Sequence, residues 1–116
     1  MQMYYDVLNF AQACDQEPTK ENIELYRKLI KEEYEEFLTA IQENDKIEQL
    51  DACMDMIWVI LGYCIMNNFK VQGAWNEVAA TNLNKIDPTT GKVRKNESGK
   101  VMKPEGWQPP NLKNFV

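Results

Sequence analysis

The chain is 116 residues long, enough for one domain with a single modest core. Hydrophobic residues make up 44% of it and charged residues 27%, an ordinary globular balance, and the net charge of -5 argues against a general nucleic-acid binder, which would be basic. Histidine is absent. That excludes histidine triads and the Glu-x-x-His ligands of di-iron bundles, and leaves any metal on oxygen ligands, which favours Mg²⁺ or Mn²⁺.

The three cysteines, Cys14, Cys53 and Cys64, are odd in number and form no Cys-x-x-Cys pair. Neither a disulfide framework nor a cysteine zinc site is therefore expected, and the reading is a reduced, cytoplasmic protein. The opening residues carry no basic-then-apolar leader, and the longest uncharged run, Met56 to Phe69, is too short to span a bilayer, so no membrane partner is expected.

A first helix is predicted from about Met3 to Cys14, with Met3, Val7, Phe10, Ala11 and Cys14 at helical spacing. It stops ahead of Pro18. Thr19 suits the N-cap of a second helix reaching Gln42. Asn44-Asp45 makes a short link, and Asp45 with Glu48 reads as a capping box for a third helix continuing to about Asn68. Gly73 precedes a fourth, from Ala74 to Ile86, ended by Asp87-Pro88. Beyond it, Lys92–Arg94 and Lys100–Lys103 flank Asn96–Gly99 as a predicted hairpin. The tail from Pro104 is expected to lie extended over the body or a neighbouring subunit. The fold class is thus an all-α four-helix bundle with a small C-terminal β-hairpin and extended tail. Residues 1–116 form one domain, with the helical body at about 1–87 and the basic hairpin and tail at about 88–116.

Projection of each helix at about 100° per residue singles out polar residues on the core side. On the second helix Ile23, Tyr26, Ile30, Phe37 and Ile41 share an arc that also contains Glu33, with Glu36 at its edge; Glu32 and Glu35 point to solvent. On the third helix every residue from Ala52 to Met66 is apolar, small or aromatic except Asp55, and Asp51 lies one turn earlier on the same face. A helix apolar all round is buried on all sides, and a lone carboxylate there is costly unless paired or metal-bound. On the fourth helix Asn82 sits within the stripe of Trp75, Val78, Ala79, Leu83 and Ile86, with Lys85 at its edge. Blander readings exist for each residue. Most glutamate runs are solvated faces, Arg27 is an obvious cation for Asp55, Glu48 has a capping role, and Asn82 can satisfy backbone groups. The coincidence of two carboxylate pairs and an Asn/Lys pair favours a metal-and-phosphate site. The segment Lys85 to Lys103 has a net charge of +4, which suits a polyphosphate, and it places Arg94 and Lys103 beside Asn82 and Lys85 as candidate substrate contacts.

At these residues the sequence resembles the all-α nucleoside triphosphate pyrophosphohydrolases, the MazG-like group, which also includes dimeric dUTPases, dCTP pyrophosphatases and phosphoribosyl-ATP pyrophosphohydrolase. The family pattern is ExxE on one helix, ExxD on the next, then an Asn/Lys pair. Leu29 to Phe37 resembles the first motif, Asp55 to Gly62 the aspartate end of the second, and Asn82 to Lys85 the phosphate-contacting pair. The segment Asp87 to Leu112 is similar to the C-terminal extension of small phage-type and bacterial members.

The resemblance implies Glu33, Glu36, Asp51 and Asp55 as ligands of Mg²⁺ (or Mn²⁺), with Glu33, Glu36 and Asp55 catalytic. Where the family has its second-motif glutamate this chain has Ala52. Asp51 then serves instead, or Glu48 and Asp51 form the literal ExxD; the helix phase favours Asp55 with Asp51. The implied activity is hydrolysis of a nucleoside triphosphate to the monophosphate and pyrophosphate, in a homodimer or homotetramer, for nucleotide-pool housekeeping. The alternatives are phosphoribosyl-ATP pyrophosphohydrolase and a non-catalytic helical dimerisation module.

Overall fold

The computed structural model describes residues 1–116. It holds four helices, α1 (Gln2–Ala13), α2 (Lys20–Gln42), α3 (Lys46–Met66) and α4 (Val71–Leu83). A two-stranded antiparallel hairpin, β1 (Ile86–Asp87) with β2 (Lys92–Val93), and a 3₁₀ turn at Lys113–Phe115 complete it. The all-α class with a small C-terminal hairpin is as the sequence predicts. Residue contacts gather into two compact units, Met1–Phe69 and Lys70–Val116.

In the first unit the caps decide where helices begin and end. The Thr19 side chain accepts a hydrogen bond from the Asn22 N–H at 3.1 Å, starting α2. Asp45 does the same for Glu48 at 3.1 Å, starting α3. Only that half of the predicted capping box forms, because the Asp45 N–H is bonded to the Ala40 carbonyl. That bond belongs to the C-terminus of α2: Asn44, at φ 54°, turns left-handed, and the N–H groups of Asn44 and Asp45 return to Ile41 and Ala40. Asp15 closes α1 and Asn68 closes α3 in the same way. Asn and Asp are the non-glycine residues that tolerate this conformation.

The core of this unit is built from Ala11, Tyr26, Val59 and Met66, with Ile23, Leu29, Ile30, Tyr63 and Ile65 packed around them. Tyr26 is 3% exposed and donates its hydroxyl hydrogen bond to Gln16 at 2.6 Å. Its ring lies where a Cβ on Gly62 would be, so Gly62 is what lets α2 approach α3 here. α3 is apolar on all sides but is not covered on all sides. Ile47 is 80% and Leu50 63% exposed, and Met54, Trp58 and Ile60 are also exposed. By length and composition α3 could cross a membrane, although it carries Asp51 and Asp55.

In the second unit the tail straps α4. The N–H of Lys70, its N-cap residue, donates to the Phe115 carbonyl at 2.8 Å. The Phe115 ring occupies the space a Cβ on Gly73 would take. Four residues back in the tail, the Asn111 N–H donates to Glu77 at 3.1 Å, and four further back the Trp107 indole N–H donates to the Thr81 carbonyl at 2.7 Å. The tail therefore runs antiparallel to the helix and meets it once per turn. Gly73 thus lies inside α4 rather than ahead of it, and the helix starts at Val71.

The predicted hairpin forms only loosely, and a regular ladder outside the prediction precedes it. The expected turn at Asn96–Gly99 forms, with the Asn96 side chain accepting from the N–H groups of Ser98 and Lys100. Around it Lys95 bridges Val101, with the Asn96 N–H donating to the Lys100 carbonyl at 2.9 Å and the Met102 N–H to the Arg94 carbonyl at 2.8 Å. The regular ladder pairs Ile86 with Val93 and Asp87 with Lys92. Its turn is tightened by the Gly91 N–H donating to the Asp87 carbonyl at 2.7 Å, with Gly91 at φ 71°.

Candidate metal and phosphate sites

The α2–α3 hairpin brings the predicted carboxylates together by its register. Glu33 and Asp55 are each 11 residues from Asn44 at the turn, so the antiparallel helices set them opposite one another. Glu36 comes opposite Asp51 and Ala52, and Ala52 is buried, the small side chain leaving room between the acids. Burial, then the neighbouring Glu36, Asp55 and Asp51 carboxylates, raise Glu33 from 4.5 to about 7. Asp55 is raised too, first by burial and then by Asp51 and Glu36. The four residues thus feel one another's charge across two helices.

No cation neutralises them. The one salt bridge in the chain joins Arg27 to Glu24 at 3.1 Å, and Arg27 also lies 5.9 Å from the centre of the Tyr63 ring. Glu33 Oε2 is buried and has no hydrogen-bond partner. A buried carboxylate oxygen left in this way costs free energy unless a ligand satisfies it. An all-oxygen donor set with an orphaned oxygen fits a hard divalent cation. No three of these side chains close on one point as a ready-made cage. That also suits Mg²⁺, which takes few protein carboxylates and completes its shell with water and substrate phosphates.

Glu48 is exposed and is not among the groups that act on Glu33 or Asp55. It lines a separate open cavity of about 410 Å³ with Glu32, Glu35, Glu36 and Glu43. Glu32 and Glu35 are exposed, as their helix phase predicts, yet they rim this acidic groove, which shares Glu36 with the cluster.

The other predicted residues lie in the second unit. α4 ends at Leu83 rather than Ile86, so Lys85 lies two residues beyond the helix. It donates at 3.0 Å to the side-chain oxygen of Asn82, which is exposed and not on a core face. Lys85 and Arg94 line a cavity of about 190 Å³ with Asp87, Pro88, Met102 and Pro104. Lys103 lies 4.8 Å from the centre of the Trp107 ring, and Lys85 lies 5.2 Å from the same centre. Sequence reasoning missed Trp107. A tryptophan among prolines and lysines gives no periodic signal, and its partner Thr81 is 26 residues away.

Two helices facing one another with uncompensated carboxylates, in an all-α chain without histidine, define the class of the all-α nucleotide pyrophosphohydrolases. The chain belongs to the phosphoribosyl-ATP pyrophosphohydrolase family, whose profile matches residues 3–82. The match takes in Glu33, Glu36, Asp51, Asp55 and Asn82, and ends ahead of Lys85 and the strapped tail. No curated protein matches the chain. Membership makes it a pyrophosphohydrolase acting on a nucleotide, in a family of soluble enzymes.

Proposed function

We propose that the chain hydrolyses a ribo- or deoxyribonucleoside triphosphate to the nucleoside monophosphate and pyrophosphate, using Mg²⁺, in cytoplasmic nucleotide-pool housekeeping. The observation that carries this reading is the unpartnered, buried Glu33 Oε2 within a carboxylate cluster that has no cation. Glu33, Glu36, Asp51 and Asp55 would hold the metal. Bound there, Mg²⁺ supplies neutralisation of phosphoryl oxygens and a lowered pKa for an attacking water; Mn²⁺ has the same chemistry.

The chain's own residues do the rest. Glu33 is raised by burial and by a cluster without counter-charge, so a cation bound there would lower it again and hold it ionised as a ligand. Asn82 orients the Lys85 ammonium through the 3.0 Å hydrogen bond, leaving other ammonium hydrogens for a phosphate oxygen. Arg94 and Lys103 extend the same positive surface. Attack of water at the α-phosphate would release pyrophosphate and leave the monophosphate.

Phosphoribosyl-ATP is the second reading, favoured by the matching family's own description. The tail, which lies outside the matched residues and resembles the C-terminal extension of the small nucleoside triphosphate branch, supports the nucleoside triphosphate instead. The exposed apolar residues of α3 support a homodimer or homotetramer, since a soluble protein seldom leaves a patch of this kind to water. They could also line a purely structural interface, but uncompensated carboxylates are a poor way to stabilise a module without a catalytic role.

A panel of triphosphates and phosphoribosyl-ATP, assayed with Mg²⁺ for released pyrophosphate, tests the proposal. Turnover should stop with EDTA and return with Mg²⁺ or Mn²⁺. Turnover of phosphoribosyl-ATP alone would support the second reading, and none on any compound the non-catalytic one.

A further inference from the structure

Three features of the second unit converge on Trp107. The first is its anchorage. Thr81 is in the last turn of α4, where carbonyls have no partner within the helix, and the indole N–H takes this one at 2.7 Å. The ring is thereby fixed to the helix end that also carries Asn82 and Lys85. The second is its company. Lys85 and Lys103, 18 residues apart in sequence, both hold their ammonium groups within 5.2 Å of the one ring centre. The negative face of an indole attracts such cations, and so offsets part of their mutual repulsion.

The third feature is an excess of cations over acids. Neither lysine, nor Arg94 in the adjoining cavity, forms a salt bridge, and Asp87 at that cavity already accepts the Thr89 N–H at 2.8 Å. A tail held only for structure gains nothing by collecting unpaired cations. Three cations that form no salt bridge, with Asp87 the one acid at the cavity, leave a positive excess that suits an external polyanion.

We propose that Trp107 is a positioning residue for polyphosphate binding: its anchored ring holds Lys85 and Lys103 together as a two-pronged grip for a phosphate chain. This rests on the triphosphate reading for its biological ligand, but the grip itself belongs to the second unit and is open to test without catalysis. Trp107 acts through the lysines and touches no reacting atom.

Inorganic tripolyphosphate, titrated calorimetrically into the full chain in EDTA, reads the grip directly, and steady-state kinetics with Mg²⁺ reads its use. Trp107→Leu should weaken tripolyphosphate binding and raise KM by about 5- to 30-fold, as expected for losing two cation–π contacts, with kcat little changed. Trp107→Phe, which keeps an aromatic face, should recover much of the loss. In a Lys85→Met/Lys103→Met background, Trp107→Leu should have no further effect, because the ring then has nothing to position. A Trp107→Leu protein with wild-type affinity and KM would overturn the proposal. So would an effect that persists undiminished without the lysines, or a wild type that does not bind tripolyphosphate. If the cycle holds while no triphosphate is hydrolysed, the grip stands and the triphosphate reading falls.

Discussion

Arg27 is bonded to Glu24, one turn back on its own helix, and not to Asp55. It was the obvious basic residue on α2 for neutralising that aspartate, and its engagement elsewhere leaves the α2–α3 carboxylates as like charges facing one another. Their repulsion is relieved by protonation or by a bound cation, and the two outcomes are separable by experiment.

Asp55→Asn should abolish turnover and leave the metal-free protein at least as stable as the wild type. Removing one of several repelling carboxylates relieves repulsion that persists in the metal-free wild type. Had Asp55 been the partner of a buried cation, its loss would strand that charge at a cost of about 3–5 kcal/mol. Thermal unfolding of both proteins in EDTA gives the sign, and a large fall in midpoint would contradict the cluster.

The metal-free protein should also lose stability as pH rises between about 4.5 and 7. Glu33 holds its proton up to about 7 when folded, against 4.5 for an ordinary glutamate, so the folded state binds more protons in that window. The native state is favoured at the acid end of the window, and the destabilisation is complete above the folded pKa. Asp55, raised in the same sense, adds to the slope. Urea unfolding in EDTA at closely spaced pH values should show the decline, and Glu33→Gln should flatten it. A stability that rises across this range would mean the carboxylates are favourably paired.

Gly62→Ala should destabilise the first unit even though alanine is the better helix former. Its Cβ would enter the space of the Tyr26 ring, which is buried and tied to Gln16. Overpacking of this kind outweighs the gain in helix propensity, leaving a net loss of about 1–2 kcal/mol by denaturant titration. An unchanged or raised stability would show that α2 and α3 can move apart here.

At micromolar concentration light scattering should find at least a dimer, and Ile60→Glu, on the exposed part of α3, should shift it toward monomer. A compact monomeric wild type would contradict the reading of that apolar surface.

Much of the first unit was legible because its signals are local. Thr19 and Asp45 cap helices by reaching three residues ahead, and the phase of Glu33 against Ile23, Tyr26 and Ile30 is fixed by helical geometry alone. The facing of Glu33 and Asp55 followed from two long helices and a short link. What escaped depended on distant partners. The start of α4 at Val71 is settled by Phe115, whose ring needs Gly73 inside the helix. The ladder at Ile86–Val93 was missed because Ile86 fits the helical stripe, whereas α4 ends at Leu83 and Ile86 pairs with Val93 across a turn tightened by Gly91. Trp107 could not be assigned without seeing Thr81.

The central claim is cleavage between the α- and β-phosphates at a carboxylate-held metal. Its most direct test is separation of the products formed from one hydrolysed nucleoside triphosphate with Mg²⁺. Nucleoside monophosphate and pyrophosphate should form in equal amounts, and neither in EDTA; nucleoside diphosphate and orthophosphate would contradict cleavage at that bond.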